Sequence, residues 1–200
     1  MGRIRAAAPP VLISPMPSFL RVLWPFLLLA LPAMATDQAF PPTASGVSEL
    51  KTLPAGVLLK SPGRGNYFEQ ADNLFMPLFR YISKHDIAMT SPVEARIDDA
   101  AMFFWVGEGQ HAKVTGNEGT VEVQRVPERR VASRGAKGSY SRANFEKIRD
   151  ELLTWLKTRP DVEAAGEPYA VYWHGPFTPW FLKRSEVHVP VRPRASTPAS

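Results

Sequence analysis

The sequence predicts an α+β domain in which two strand-helix-strand-strand units build one antiparallel, helix-flanked sheet. Three observations point to it. Residues recur at an offset of 73, pairing Glu49 with Glu122, Leu53 with Val126, Pro54 with Pro127, Tyr67 with Tyr140, Phe75 with Ile148, Phe79 with Leu152 and Ile82 with Trp155. Each copy carries one amphipathic helical stripe followed by strand-like runs. The turns before both stripes are short and contain glycine, which favours antiparallel neighbours over long crossovers.

In chain order, residues 1–35 hold Arg3, Arg5 and Arg21, no acidic residue, an apolar run from Val22 to Leu31 and the small-x-small triplet Ala33-Met34-Ala35. This pattern reads as a secretory signal peptide cleaved before Thr36, with Met16 as an alternative start. Its apolar core is shorter than the roughly 20 residues of a membrane span. No transmembrane span is therefore expected after cleavage, and the protein is expected in the periplasm or secreted. Residues 36–46, rich in Pro, Thr, Ala and Ser, read as a flexible linker, residues 47–191 as the domain, and 192–200 as a flexible tail.

The first helix is expected after Asn66, with Glu69 completing a capping box. Phe68, Ala71, Phe75, Leu78, Phe79 and Ile82 form its core face, and Pro77 should remove one backbone hydrogen bond. Met89–Ile97 and Ala101–Val106 read as strands turning at Asp98-Asp99, and 107–119 as a polar, glycine-rich connector. In the second copy Phe145, Ile148, Leu152, Trp155 and Leu156 repeat the stripe, which should end before Pro160. Tyr169–Trp173 and Glu186–Val191 are the closing strands, around the aromatic loop Gly175-Pro176-Phe177-Thr178-Pro179-Trp180.

The formal charge of +5 falls to +2 without the leader, so no basic footprint for nucleic acid is visible. The absence of cysteine excludes disulfides, thiolate chemistry and cysteine-bound metals. No Gly-x-Ser-x-Gly, His-Glu-x-x-His or P-loop occurs, and Gly107-Glu108-Gly109 lacks the context of a dinucleotide fingerprint. A binding protein without catalytic residues or a metal site is expected. The turns at Arg64-Gly65 and Lys137-Gly138 suit either a bound anion or a plain tight turn.

The seven residues Ile87-Ala88-Met89-Thr90-Ser91-Pro92-Val93 lie between a helical and a strand pattern. They resemble the signature of the SOUL haem-binding family, Ile-Ala-Met-Thr-Ala-Pro-Val, with Ser91 in place of alanine. The aromatic-proline loop is also similar to that family's, although Ser185 and His188 stand in Lys183-Arg184-Ser185-Glu186-Val187-His188 where members typically have Asn and Trp. The resemblance spans 47–191. It implies a duplicated unit forming a distorted antiparallel β-barrel flanked by two α-helices. It also implies a haem or other porphyrin bound non-covalently and weakly in a shallow groove beside the first helix and the 175–182 loop.

That groove would be lined by Leu74, Met76, Arg80, Tyr81, His85, Met89, Trp180 and Lys183, with Arg80 and Lys183 pairing the propionates. Thr52 stands where some members carry a histidine, so that ligand is missing. His85 suits an axial ligand or a cation at a helix C-terminus, and Met76 and Met89 suit thioether ligands or core fillers. His111 reads as solvated, His174 flanks the aromatic loop, and His188 shares a strand face with Glu186. The helices differ behind their core stripes: Leu74, Met76, Pro77 and Tyr81 in the first face Lys147, Arg149, Asp150 and Thr154 in the second. The extra apolar surface suits a flat hydrophobic ligand, a lipid-like molecule or protein partner, or cover by the chain itself. Small-molecule hydrolysis is the weakest reading, because no acid, base and nucleophile are arrayed.

Overall fold

The structure, a computed structural model, describes residues 37–175 and 177–194; the expected leader lies outside them. The elements are β1 Ser48–Leu53, β2 Gly56–Pro62, α1 Ala71–Lys84, β3 Val93–Arg96, β4 Ala101–Val106, β5 Glu122–Val126, β6 Arg129–Lys137, α2 Arg142–Leu156, β7 Val162–Ala164, β8 Tyr169–Tyr172 and β9 Arg184–Pro193. Short 3₁₀ turns occupy Tyr67–Glu69, Glu108–Lys113 and Trp180–Leu182. The strands pair antiparallel in the order β1-β6-β9-β8-β3-β4-β2-β5, with β7 on β9 beside this path. The order maps onto itself when β1, β2, β3 and β4 are exchanged for β5, β6, β8 and β9. The α+β class holds, with a curled antiparallel sheet as the distorted barrel and two helices flanking it.

Both faces of this sheet are covered, which explains why every residue of β4 is buried. Met102, Phe104 and Val106 point under the helices into the larger core, while Ala101, Phe103 and Trp105 point into a second core with Leu53, Leu58, Val131, Tyr169 and Val171. A run of six apolar residues is what a strand needs when it has no wet face.

Helix α1 buries Leu74, Leu78, Tyr81 and Ile82, and α2 buries Phe145, Ile148, Leu152 and Leu156. The buried positions therefore match at an offset of 74, placing Leu74 with Ile148, Leu78 with Leu152 and Ile82 with Leu156. The expected offset of 73 is one residue short within the helices. One residue turns a helix by about 100°. Phe79, expected in the core opposite Leu152, is accordingly 44% exposed, and Phe75 is only half-buried. Asn66 caps the 3₁₀ turn rather than α1: its side chain accepts from the Phe68 N–H at 3.0 Å and donates to Glu69 at 2.9 Å. Pro77 lies within a continuous α1.

Three other expectations change. Residues 37–46 are a packed strap, not a flexible linker: Ala39 N–H donates to the Ser91 carbonyl, Ser91 N–H to that of Asp37, and Phe40 is 5% exposed between Trp105 and Trp173. Arg192 and Pro193, expected in a flexible tail, belong to β9, which pairs there with the unforeseen β7. The strand expected from Met89 begins only at Val93, since Ser91 is paired with the strap.

Candidate ligand-binding surface

The outward side of α1 carries the exposed apolar group on which a ligand reading rests. Met76 is 41% and Phe79 44% exposed, Phe79 stacks on Phe75 at 5.7 Å, and Arg80 beside them is exposed. Phe75 in turn meets Phe104 of the core edge-on at 5.4 Å, so the surface aromatics rest on a fixed floor. On α2 the corresponding side presents Lys147, Asp150 and Thr154 to solvent.

Leu74 and Tyr81 do not belong to this surface. Both are 3% exposed, and the Tyr81 hydroxyl donates to the Gly116 carbonyl at 2.9 Å and accepts from the Thr115 N–H at 3.3 Å. They hold α1 to the sheet and to the connector, because the helix turns them inward by the same one-residue rotation that turns Phe79 out. His85 is also engaged. Its N–H ends α1 on the Tyr81 carbonyl, its ring lies 4.5 Å from the Tyr81 ring, and its Nε2 meets Glu118 at 3.0 Å. Lys84 reaches the same carboxylate at 2.8 Å, and the two partners hold Glu118 below the usual carboxylate range. Met89 is 38% exposed in the irregular stretch before β3.

The signature stretch works mainly as a junction. Ile87 is buried and its N–H closes on the Ile82 carbonyl, Ala88 N–H donates to Gln110 at 2.6 Å, and Ser91 receives the strap. Thr90 is buried with its hydroxyl unpartnered.

Trp180 and Lys183 lie on the loop between β8 and β9, which closes against the residues preceding α2. The Gly138 N–H donates to the Lys183 carbonyl, and the Lys183 ammonium sits 4.9 Å from the Tyr140 ring centroid. A chain of rings leads back towards α1: Tyr140 to Tyr172 at 4.2 Å, Tyr172 to Tyr67 at 6.0 Å and Tyr67 to Phe68 at 5.5 Å. Three rings, Tyr140, Tyr172 and Tyr67, thus lie between Lys183 and the turn that precedes α1. His174 is tied into this corner, its Nδ1 accepting from the Arg184 N–H at 3.0 Å. Burial and the nearby Arg184 charge keep its pKa below the usual imidazole value.

The opposite face of the sheet holds a network that sequence reasoning largely missed. Glu186 and His188 are 1% and 0% exposed. Glu186 accepts from Thr43 N–H at 2.7 Å, Trp173 Nε1 at 2.7 Å, Ser133 Oγ at 2.8 Å, Lys51 Nζ at 3.0 Å and His188 Nε2 at 2.7 Å. Burial alone would push its pKa up; the hydrogen bond from His188, the charge of Lys51 and the bond from Ser133 outweigh it and hold it at about 2. Burial keeps the His188 pKa low, and a neutral ring fits its surroundings: Nε2–H donates to Glu186 while Nδ1 faces the Tyr169 hydroxyl at 3.3 Å. The i, i+2 spacing of Glu186 and His188 was the available signal. The partners from the strap and β6 lie too far away in sequence to be read.

Ser133, His188 and Glu186 do not form a nucleophilic triad. The serine donates to the carboxylate instead of the imidazole, and all three are sealed beneath Phe40. Farther along this face Arg129 clasps both Glu94 oxygens at 2.7 and 3.0 Å, and Trp105 Nε1 donates to the same carboxylate at 2.9 Å. Arg129 and Glu94 border a cleft of about 890 Å³ whose walls include Leu58, Phe103, Val126, Leu153 and Tyr169. Among the described residues no group of three or more His, Asp or Glu side chains converges as a metal site, and no helix is long and apolar enough to cross a membrane.

Comparison with known proteins places this architecture. No curated protein sequence matches the chain. The EcmrR C-terminal domain superposes with a TM-score of 0.57 at 17% identity, over 73% of this chain and 97% of that one. EcmrR in its DNA complex gives 0.57 at 16% identity over 72% of this chain, which spans only 57% of the EcmrR chain. A structure described as a hydrolase from Listeria innocua gives 0.52 at 13% identity, covering 75% of this chain and 94% of that one. Identities this low speak to the fold alone. The family model described as SOUL heme-binding protein matches residues 42–190. With that match across both helices and all but the end of β9, the chain belongs to the SOUL haem-binding protein family.

Proposed function

We propose that this protein is a non-enzymatic binder of haem or a related tetrapyrrole, exported to the periplasm or beyond, that holds the ring between the outward side of α1 and the 175–182 loop. The observation that carries the reading is the exposed pair Met76 and Phe79 beside Arg80, two large apolar side chains in water on α1 where α2 exposes none. Arg80 and Lys183 supply cations for two propionates. Covering about 300 Å² of apolar surface at about 25 cal/mol/Å² gives about 7 kcal/mol before association costs, which supports micromolar affinity at best. His85 is committed to Glu118, so binding rests on burial more than on iron ligation by histidine.

The test is a haem titration of the mature chain followed by Soret absorbance and tryptophan quenching. Met76→Glu and Phe79→Glu should each weaken binding about tenfold, Arg80→Glu about threefold, and His85→Ala less than either glutamate variant. Wild-type affinity in both glutamate variants would refute the placement. A second reading, another hydrophobic ligand, is favoured by the 890 Å³ cleft, within the usual range for small-molecule sites. Loss of haem binding in Val126→Arg, at the cleft wall, with none in the α1 variants would move the site there.

A further inference from the structure

We propose that the loop joining β8 to β9 is a membrane-docking tip, which places its apolar side chains in the interfacial layer of an anionic lipid bilayer. Phe177 is 98% exposed, Trp180 67%, Phe181 57% and Leu182 56%, so four large apolar side chains stand in water within six residues. They are not loose. Thr178 N–H donates to the Gly175 carbonyl, Leu182 N–H to that of Pro179 and Lys183 N–H to that of Trp180, while Trp180 and Phe181 meet edge-on at 5.8 Å. A backbone fixed in this way displays the side chains without first having to be ordered.

The charge around the tip selects the partner. No acidic residue occurs between Glu167 and Glu186, while Lys183 and Arg184 follow the aromatics directly. Lys137 is the register partner of Arg184 on the neighbouring strand and is likewise exposed. Among the described residues, no carboxylate pairs with Lys137, Lys183 or Arg184. Glu186, the nearest acid in sequence, is buried and satisfied from within. A projecting Trp/Phe/Leu tip backed by unpaired cations matches the layering of a bilayer surface, where acyl chains lie below anionic headgroups and amphipathic aromatics settle at their boundary.

This inference does not depend on the tetrapyrrole reading, because the surface is complete without a ligand. The experiment is co-sedimentation of the haem-free mature chain with vesicles of phosphatidylcholine plus phosphatidylglycerol, and of phosphatidylcholine alone, with quenching by brominated lipid to report depth. The wild type should bind the anionic vesicles about tenfold more tightly than the neutral ones. Phe177→Ser and the double variant Trp180→Ser, Phe181→Ser should lose quenching and about tenfold in affinity, and Lys183→Glu with Arg184→Glu should abolish the preference for anionic lipid. Phe177 makes almost no contact with the protein, so that variant keeps the test open if the double variant folds poorly. Met76→Glu should leave vesicle binding intact while weakening haem, so the two readings fail separately. Absence of sedimentation with anionic vesicles, undiminished binding by Phe177→Ser, or a loop-dependent dimer without lipid would overturn the proposal.

Discussion

Replacing Glu186 by glutamine should cost about 3–5 kcal/mol of stability at neutral pH, and the structure shows why. Oε1 serves Thr43 N–H and Trp173 Nε1, while Oε2 serves Lys51, Ser133 and His188. A glutamine has one acceptor and one NH₂ group. Either orientation turns the NH₂ towards at least two donors, at about 1–3 kcal/mol for each one left unpaired in the interior. Lys51, 12% exposed at its side chain, also loses its buried counter-charge. The pH dependence provides an independent check. With a folded pKa of about 2 against 4.5 unfolded, the carboxylate contributes about 3 kcal/mol that is fully present above pH 4.5 and lost as pH falls through 2. About 2 kcal/mol of this should be gone by pH 3. His188 acts in the same direction: its folded pKa is lowered, so stability present above about 6.5 declines as the pH drops. Urea unfolding of wild type and Glu186→Gln at pH 7 and pH 3 should show the gap between them narrowing by about 2 kcal/mol. A gap under about 1 kcal/mol at pH 7, or one that does not depend on pH, would refute the idea that this carboxylate is charged and holds the strap.

Two further expectations concern the same framework. Gly135→Ala would put its methyl 2.4 Å from the Thr43 carbonyl and 2.6 Å from that of Ala44, so the strap should be displaced at a cost of about 1–3 kcal/mol, seen as faster proteolysis within 37–46 and a lower urea midpoint. Tyr81→Phe should destabilise by about 0.5–1.5 kcal/mol through loss of the Gly116 and Thr115 bonds while leaving haem affinity within about twofold, a contrast that titration and urea unfolding together would resolve.

The fold was legible because it rests on periodicity. Both helices, the strand pairs β3–β4 and β8–β9 and the chemical kinship of the halves follow from apolar spacing, which a short-range reading captures. What escaped was set by single residues of register or by distant partners. An apolar helix with several large residues offers two plausible stripes, and only packing decides that Leu74 and Tyr81 turn in while Phe79 turns out. Of the eight residues expected at the site, Met76, Arg80, Met89 and Trp180 are exposed, Lys183 is half-buried on Tyr140, His85 is paired with Glu118, and Leu74 and Tyr81 are core. The strap misled because proline and small polar residues read as flexible, yet Phe40 and the Thr43 backbone fit a buried aromatic and carboxylate far along the chain. Nothing local announces such a fit.

The symmetry of the strand order supports the proposed ligand surface by subtraction. Leu74, Leu78 and Ile82 do for α1 what Ile148, Leu152 and Leu156 do for α2, so each helix meets the demands of folding with its inner face alone. The outer faces are free to differ, and solubility would make both polar, as α2 is. Methionine and phenylalanine at 41% and 44% exposure on α1 therefore contribute little to stability and leave apolar surface in water. At the 74-residue offset Asp150 stands for Met76 and the half-buried Leu153 for Phe79, so α2 folds without a large apolar side chain in water at either place. The sealed end of the opposite face offers no comparable freedom, since the polar atoms of Glu186 and His188 are spent on internal partners and opening the strap would strand them. On the outer side of α1, by contrast, burial under an apolar ligand would cover exposed surface without dismantling a satisfied network, as the proposed site requires.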